Sequence, residues 1–202
     1  MNIRLAKKND CQEIAEIHFQ EIKYGFLNQL GKKFLSYFYM AMITSPNAFL
    51  VVAEEDDKVI GFISGCTNLN KFYKDFVRQY TFKSFLILLK KIFSFSIFKK
   101  VFEVMSYSQK EEKDLPQSEL LSIAIIKEYQ GQGIAQKLLE KFVLEMKTRE
   151  IKKFRVIVGE NLPQANKFYL KSGFVFHSKN SVHKDTPSNI YIYIIEKSGE
   201  LG

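Results

Sequence analysis

Two cysteines, Cys11 and Cys66, are all that the 202 residues contain. They are too few for a disulfide framework, and with no Cys-x-x-Cys pair they offer no metal cluster by spacing. The opening stretch "MNIRLAKKND" lacks the apolar core of a secretory signal and passes directly into charge. The apolar run in "SFLILL" is closed by Lys90 and Lys91 and is far too short to cross a bilayer. These absences lead to the expectation of a soluble, reduced, cytoplasmic protein without a metal. What is present is ample apolar material: 46% hydrophobic against 26% charged residues can bury a sizeable core. The simplest organisation is one domain over residues 1–202, with an insertion over residues 68–118.

The net charge of +8 is unevenly spread. Between Asn68 and Val101 stand Lys71, Lys74, Arg78, Lys83, Lys90, Lys91, Lys99 and Lys100 against the single anion Asp75. The rest of the chain is almost neutral.

Periodicity orders the chain as βααββ, a helical insertion, then βαβαββ. "IRLA" reads as a strand, and Asp10 to Glu13 as a D-x-x-E capping box that opens a helix running to about Lys23. A second helix presents Phe34, Leu35, Phe38, Tyr39 and Met42 at spacings of three and four. "AFLVVAEE" and "KVIGFISGC" flank Asp56 and Asp57 as a hairpin. The insertion follows as helices with Phe82, Phe85, Leu86, Leu89 and Phe93 along one side. "LLSIAII" reads as a strand buried on both faces. After it come a helix from Gly133, the strand "KFRVIV", a helix with Pro163 in its first turn, and the closing strands "FVFHS" and "IYIYIIE".

The segment "KEYQGQGIAQKLLE" places Gly131 and Gly133 where the strand ending in "IAII" gives way to a helix. Bare backbone there leaves several unpaired N–H groups aimed at one spot, with the positive end of the helix dipole behind them. Such a spot binds phosphate, and a Cβ would hold the ligand off the amides. Gln136 stands where a dinucleotide fingerprint has its third glycine, and no Gly-Lys-Ser/Thr follows. On the glycines alone, a tight β-to-α turn is the equal alternative.

Taken with its flanks, "LLSIAIIKEYQGQGIAQKLLE" resembles the coenzyme-A-binding motif of the GNAT acetyltransferase superfamily. Its pattern Arg/Gln-x-x-Gly-x-Gly/Ala is met by Gln130, Gly133 and Ala135. Downstream, "VGENLPQANKFYLKSGF" resembles the second motif of that superfamily: an Asn, an Ala, an aromatic-Tyr pair and Gly-Phe. The resemblance lies in the sequence over residues 119 to 175 and in the topology elsewhere. "GFLNQLGKKFLSYFY" and the long insertion look like a bacterial subgroup of unassigned substrate.

The resemblance implies an α/β GNAT acyltransferase fold. Its central sheet would be mixed, mostly antiparallel and flanked by helices, with the helical insertion between the third and fourth strands. It also implies acetyl-CoA as cosubstrate, lying in a V-shaped opening between "SIAII" and "RVIV". The pantetheine arm would pair with the backbone of Ile123, Ala124 and Ile125, and the pyrophosphate would sit on the amides of Gly131, Gln132, Gly133, Ile134, Ala135 and Gln136, in the loop opened by Gln130. Asn161 would reach the pantetheine, although it stands four residues before Ala165 where the family spacing is commonly three.

The implied reaction is direct attack of a primary amine on the thioester. The backbone N–H of Ile125 would polarise the carbonyl. Tyr169 stands at the family's position for the general acid that protonates the departing thiolate. Its alternative is a core tyrosine beside Phe168. Glu119, at the start of the motif strand, is the best candidate for the base, with Glu160 next. A solvated strand-end carboxylate is the equal alternative for Glu119. In the ribosomal-protein N-acetyltransferases a glutamate lies in the strand equivalent to "RVIV", whereas this chain has Val156 and Ile157. That departure argues against peptide N-terminal acetylation by the same mechanism. His18 on the first helix and His183 in a loop before the last strand are lone histidines, more often structural than catalytic.

The insertion interleaves cations with Phe72, Tyr73, Phe76, Tyr80 and further aromatics. Helical spacing favours aromatics packed onto the core, or onto a second subunit in a homodimer, with the lysines in water. A cap over the acceptor side of the cleft is the middle reading, and its charge points to an anionic small-molecule amine. Two other classes remain: an acyl-CoA-binding regulatory module without catalysis, and a nucleic-acid or anionic-membrane binder acting through the insertion, which the packing reading disfavours.

Overall fold

The computed structural model describes residues 1–23, 26–80, 115–183 and 186–195. Its elements are β1 (Asn2–Leu5), α1 (Cys11–Glu21), a single turn α2 (Phe26–Gln29), α3 (Lys32–Thr44), β2 (Ala48–Glu55), β3 (Lys58–Cys66) and α4 (Leu69–Tyr80), followed by β4 (Glu119–Ile125), α5 (Ile134–Thr148), β5 (Lys153–Gly159), α6 (Pro163–Lys171), β6 (Val175–His183) and β7 (Thr186–Ile194). The strands form one sheet in the order β1-β2-β3-β4-β5-β7-β6. Only β4 and β5 run parallel. The fold is therefore the mixed, mostly antiparallel α/β sheet expected. The short α2 is an addition to the expected order. Of the insertion, α4 is described; the helices expected around Phe82, Phe85, Leu86, Leu89 and Phe93 lie outside the described residues.

Strand alternation divides the apolar side chains between two layers. Along β2, Ala48, Leu50 and Val52 face one way with α1, α3 and α4, while Phe49, Val51 and Ala53 face α5. The hairpin turn puts Asp56 and Asp57 at φ 48° and 60°. Two consecutive left-handed residues are what a two-residue turn of this twist demands, and Asp tolerates them. On α4, Phe72 and Phe76 pack their rings at 5.6 Å from that of Phe38 on α3, with Lys71 and Lys74 exposed. This part of the insertion packs as its spacing predicts.

Helix α1 begins where predicted but is not capped as predicted. The Asp10 carboxylate pairs with Arg4 at 2.7 Å and accepts the Lys7 N–H, while Glu13 accepts the N–H of Val59 across the sheet. A charge-assisted bond to a guanidinium is stronger than a neutral cap, so the side chain leaves the helix end.

Across β3 and β4 the register slips between Ser64 and Gly65, which leaves Leu121 without a partner residue opposite. Gly65 makes this approach possible: a Cβ there would lie 2.4 Å from the ring of Phe142 and 2.6 Å from the Glu119 carbonyl oxygen. On its other side β4 pairs with β5 only at Glu119–Arg155 and Leu120–Val156, and the two strands then part. This opening exposes the middle of the strand read as buried on both faces, so Leu121, Ser122 and Ile123 are half-buried.

At the vertex, Arg155 Nε donates to Glu119 Oε2 at 2.8 Å, and both residues are buried. Arg155→Leu takes the guanidinium away from a buried carboxylate, and unfolding by urea should show a loss of about 3–5 kcal/mol. The double change Glu119→Leu with Arg155→Leu should recover most of it.

Candidate active site

The opening between β4 and β5 is lined by backbone. Ile126 donates its N–H to the Ile60 oxygen on β3. Successive residues of a strand point their polar groups to opposite sides, so Ile125 and Ile123 turn theirs into the opening. Ala124 does not: its peptide groups face β3, and its side chain packs with the α1/α3 layer. Of the three residues expected to pair with an extended ligand, two are oriented to do so.

At the wide end of the opening the chain makes a short 3-10 turn, Lys127–Tyr129, and then the glycine loop. Gly131 and Gly133 both stand at φ +77°, and a Cβ on either would meet nothing within 4 Å. Here the glycines serve conformation and open space rather than packing. Gly133 is the N-cap of α5, whose first turn carries no acidic side chain. The first intrahelical bond is Lys137 N–H to Gly133 oxygen, so the amides of Ile134, Ala135 and Gln136 have no partner within the helix.

The loop is stitched by amide side chains. Gln130 Nε2 donates to the Ile125 oxygen at 2.8 Å and to Glu21, Gln132 Nε2 donates to the Glu128 oxygen, and Gln136 Oε1 accepts from Ser172 Oγ at 3.1 Å. Sequence reasoning assigned Gln130 by its place in the motif and Gln132 and Gln136 by their backbone amides. Their side chains hold the loop to β4 and to α6.

Tyr169 lies on α6 in the layer shared with Ile125, Ile134 and Val158, 4% exposed, its ring 5.1 Å from that of Phe174. Burial pushes its phenol well above the ordinary value, so the hydroxyl keeps its proton throughout the physiological range. Asn161 is exposed on the turn between β5 and α6. The bonding at this turn belongs to Asn166, which sequence reasoning passed over. Its Nδ2 donates to the oxygens of Gly159 and Leu162, and its Oδ1 accepts from Tyr191 Oη at 2.7 Å and from Asn189. The helical spacing of Asn166, one turn after Leu162, was the available signal.

Glu119 requires correction. Its carboxylate is not solvated at the strand end: it is buried and paired with Arg155, which the parallel register sets beside it. Glu160 pairs with Lys179 at 2.9 Å. His183 ends β6 opposite Thr186 rather than lying in a loop. His18 is buried, 2% exposed, with Nδ1 2.5 Å from the Tyr39 hydroxyl. A cavity of about 430 Å³ lies between α3 and α4, against Thr44, Ser45, Phe72 and Asp75, and has no described lining residue from β4, β5 or the glycine loop. Among the described residues no helix is long and apolar enough to cross a membrane, and no three His, Cys, Asp or Glu side chains group as a metal site.

Residues 11–174 match the model of the acetyltransferase (GNAT) family. The chain belongs to that family and is an acyltransferase. Solved structures agree on the fold. The ribosomal-protein-S18-alanine N-acetyltransferase of Escherichia coli is 13% identical with a TM-score of 0.62, covering 100% of this chain and 97% of that one. The PaiA N-acetyltransferase of Thermoplasma acidophilum, in complex with coenzyme A, is 17% identical with a TM-score of 0.62, covering 96% and 99%. A Bacillus anthracis protein in complex with acetyl coenzyme A is 18% identical with a TM-score of 0.52, covering 78% and 68%. No curated protein matches the sequence.

Burial pushes the His18 imidazole down to about 4. The unfolded chain, with an ordinary value of about 6.5, binds that proton more readily, so stability should fall as pH drops from about 6.5 toward 4. Urea melts across this range should show the decline in the wild type and a flatter course in His18→Gln.

Proposed function

We propose that the protein is an N-acetyltransferase that takes acetyl-CoA along β4 and on the glycine loop, and passes the acetyl group directly to a primary amine. The observation that carries this reading is a single arrangement: strand edges that part after two pairs, beside two left-handed glycines at the start of a helix. Pantetheine would lie against the outward edge of Ile123 and Ile125, where the Ile125 oxygen already accepts from Gln130 Nε2. The pyrophosphate would take the amides from Gly131 to Gln136, where no Cβ and no carboxylate opposes it.

Holding the amine in line with the thioester supplies up to about 10 kcal/mol of the barrier, so no covalent enzyme intermediate is required. The N–H groups of Ile123 and Ile125 are the donors for the carbonyl oxygen as it gains charge, and Ile123 is the nearer to the vertex. Tyr169, kept protonated by burial, gives its proton to the departing thiolate. The whole chain acts as one domain in the cytoplasm. Helix α4, the described part of segment 68–118, packs on α3, and the cations of this segment favour an anionic small-molecule amine.

Calorimetry with acetyl-CoA should give micromolar binding for the wild type and none for Gly133→Glu, which puts a bulky anion where the pyrophosphate sits. Absence of binding by the wild type sinks the reading. Tyr169→Phe should lower turnover by about 100-fold or more while leaving coenzyme A affinity in place. Unchanged turnover would remove Tyr169 from the chemistry, and no turnover in wild type despite tight binding would favour the non-catalytic module.

A further inference from the structure

Four polar side chains from four different elements meet inside the otherwise apolar layer between α1, α3 and the sheet. His18 of α1 touches the Tyr39 hydroxyl through Nδ1, and the hydroxyls of Ser64 on β3 and Ser122 on β4 lie against the same phenol. Ser64 Oγ reaches the Ser122 carbonyl oxygen at 3.4 Å. His18, Tyr39 and Ser64 are buried, with Tyr39 and Ser64 fully inaccessible. The rings of His18 and Tyr39 both rest on Phe62.

Such a cluster is a costly way to fill a core. Apolar side chains of similar volume would pack there without desolvating four polar groups, and His18 Nε2 remains buried with no hydrogen-bond partner. Its position in the sheet explains its use. Leu120 faces the α5 layer, Leu121 the α1/α3 layer, Ile123 the α5 layer and Ala124 the α1/α3 layer again. Strict alternation fails once in that series, at Leu121 and Ser122, where the register with β3 slips. The slip turns Ser122 onto the face of Tyr39, and its phase decides which way every later peptide group of β4 points. Ile123 follows immediately.

We infer that Tyr39, anchored by His18 and holding Ser64 and Ser122, is a positioning residue for acyl transfer: it fixes the phase of the β4 bulge and so aims the Ile123 N–H at the thioester carbonyl. The inference rests on the acetyl-transfer reading above. Tyr39 itself is fully buried and touches no substrate. A bulge held from one side by hydroxyls and an imidazole has one geometry. A bulge packed only by apolar groups has neighbouring geometries of similar energy, because nothing directional distinguishes them.

The test is the infrared carbonyl stretch of protein-bound acetyl-CoA, isotope-labelled at the carbonyl carbon. Wild type should shift it to lower frequency than in free acetyl-CoA. Tyr39→Phe keeps the ring on Phe62 and should lose most of that shift, with coenzyme A affinity retained and a cooperative thermal transition. Ser122→Ala should do the same from the other end of the cluster and serves should Tyr39→Phe fail to fold. Tyr169→Phe, acting on the leaving group, should leave the shift intact. A frequency equal to wild type in both Tyr39→Phe and Ser122→Ala overturns the inference. So does a bound wild-type carbonyl that is not shifted at all, although acetyl-CoA binding would then stand. Failure of wild type to bind acetyl-CoA removes the acetyl-transfer reading and the inference with it.

Discussion

The parting of β4 from β5 is the constraint on which the rest of the structure depends. A parallel pair cannot be closed by a hairpin, so the chain leaves the sheet at Ile125, crosses through the glycine loop and α5, and returns as β5. Two paired positions are enough to join the halves of the sheet, and the buried Glu119–Arg155 contact lies at one of them. Removing two charges from water is rarely a net gain in stability. Its value here is directional, because it ties the strands at their near ends and leaves the far ends to diverge.

Everything on either side follows that divergence. The α5 layer carries the amide-rich start of its helix, and Tyr169 on α6 is buried in the same layer with Ile125. The α1/α3 layer backs the other strand, with Tyr39 packed in that layer and Ser122 at the slipped register. The slipped register at Ser64 and Gly65 is where these two demands meet, since Gly65 must let Phe142 approach on one face while Ser64 bonds toward the other.

Local features were legible in the sequence wherever a residue's own geometry dictates the outcome. The hairpin of β2 and β3, the three-and-four spacing of α3, Pro163 at the start of α6 and the glycine turn before α5 all read correctly, because each depends on a few neighbouring residues. The misreadings share a cause. Glu119 looked like a free strand-end carboxylate because its partner lies 36 residues away and meets it only through the parallel register. Asp10 and Glu13 looked like a cap because Arg4 and Val59 reach them from other elements. The bulge in "LLSIAII" was hidden by a run of apolar residues that reads the same in either phase. The family itself was legible because the backbone chemistry of its loop needs glycine, whereas the acceptor side is built from side chains whose pattern resembles any core.

The glutamine stitching of the loop bears on binding kinetics. Gln130, Gln132 and Gln136 secure the backbone to β4, to the preceding turn and to Ser172 through side-chain bonds, leaving the loop amides unspent. These bonds fix the loop within the fold, so little entropy of ordering is left to lose there. A ligand meeting this loop would then be slowed by diffusion and orientation more than by ordering of the loop itself. Release would be governed by the contacts themselves, so the residence time of a ligand on this loop would report the strength of those amide bonds.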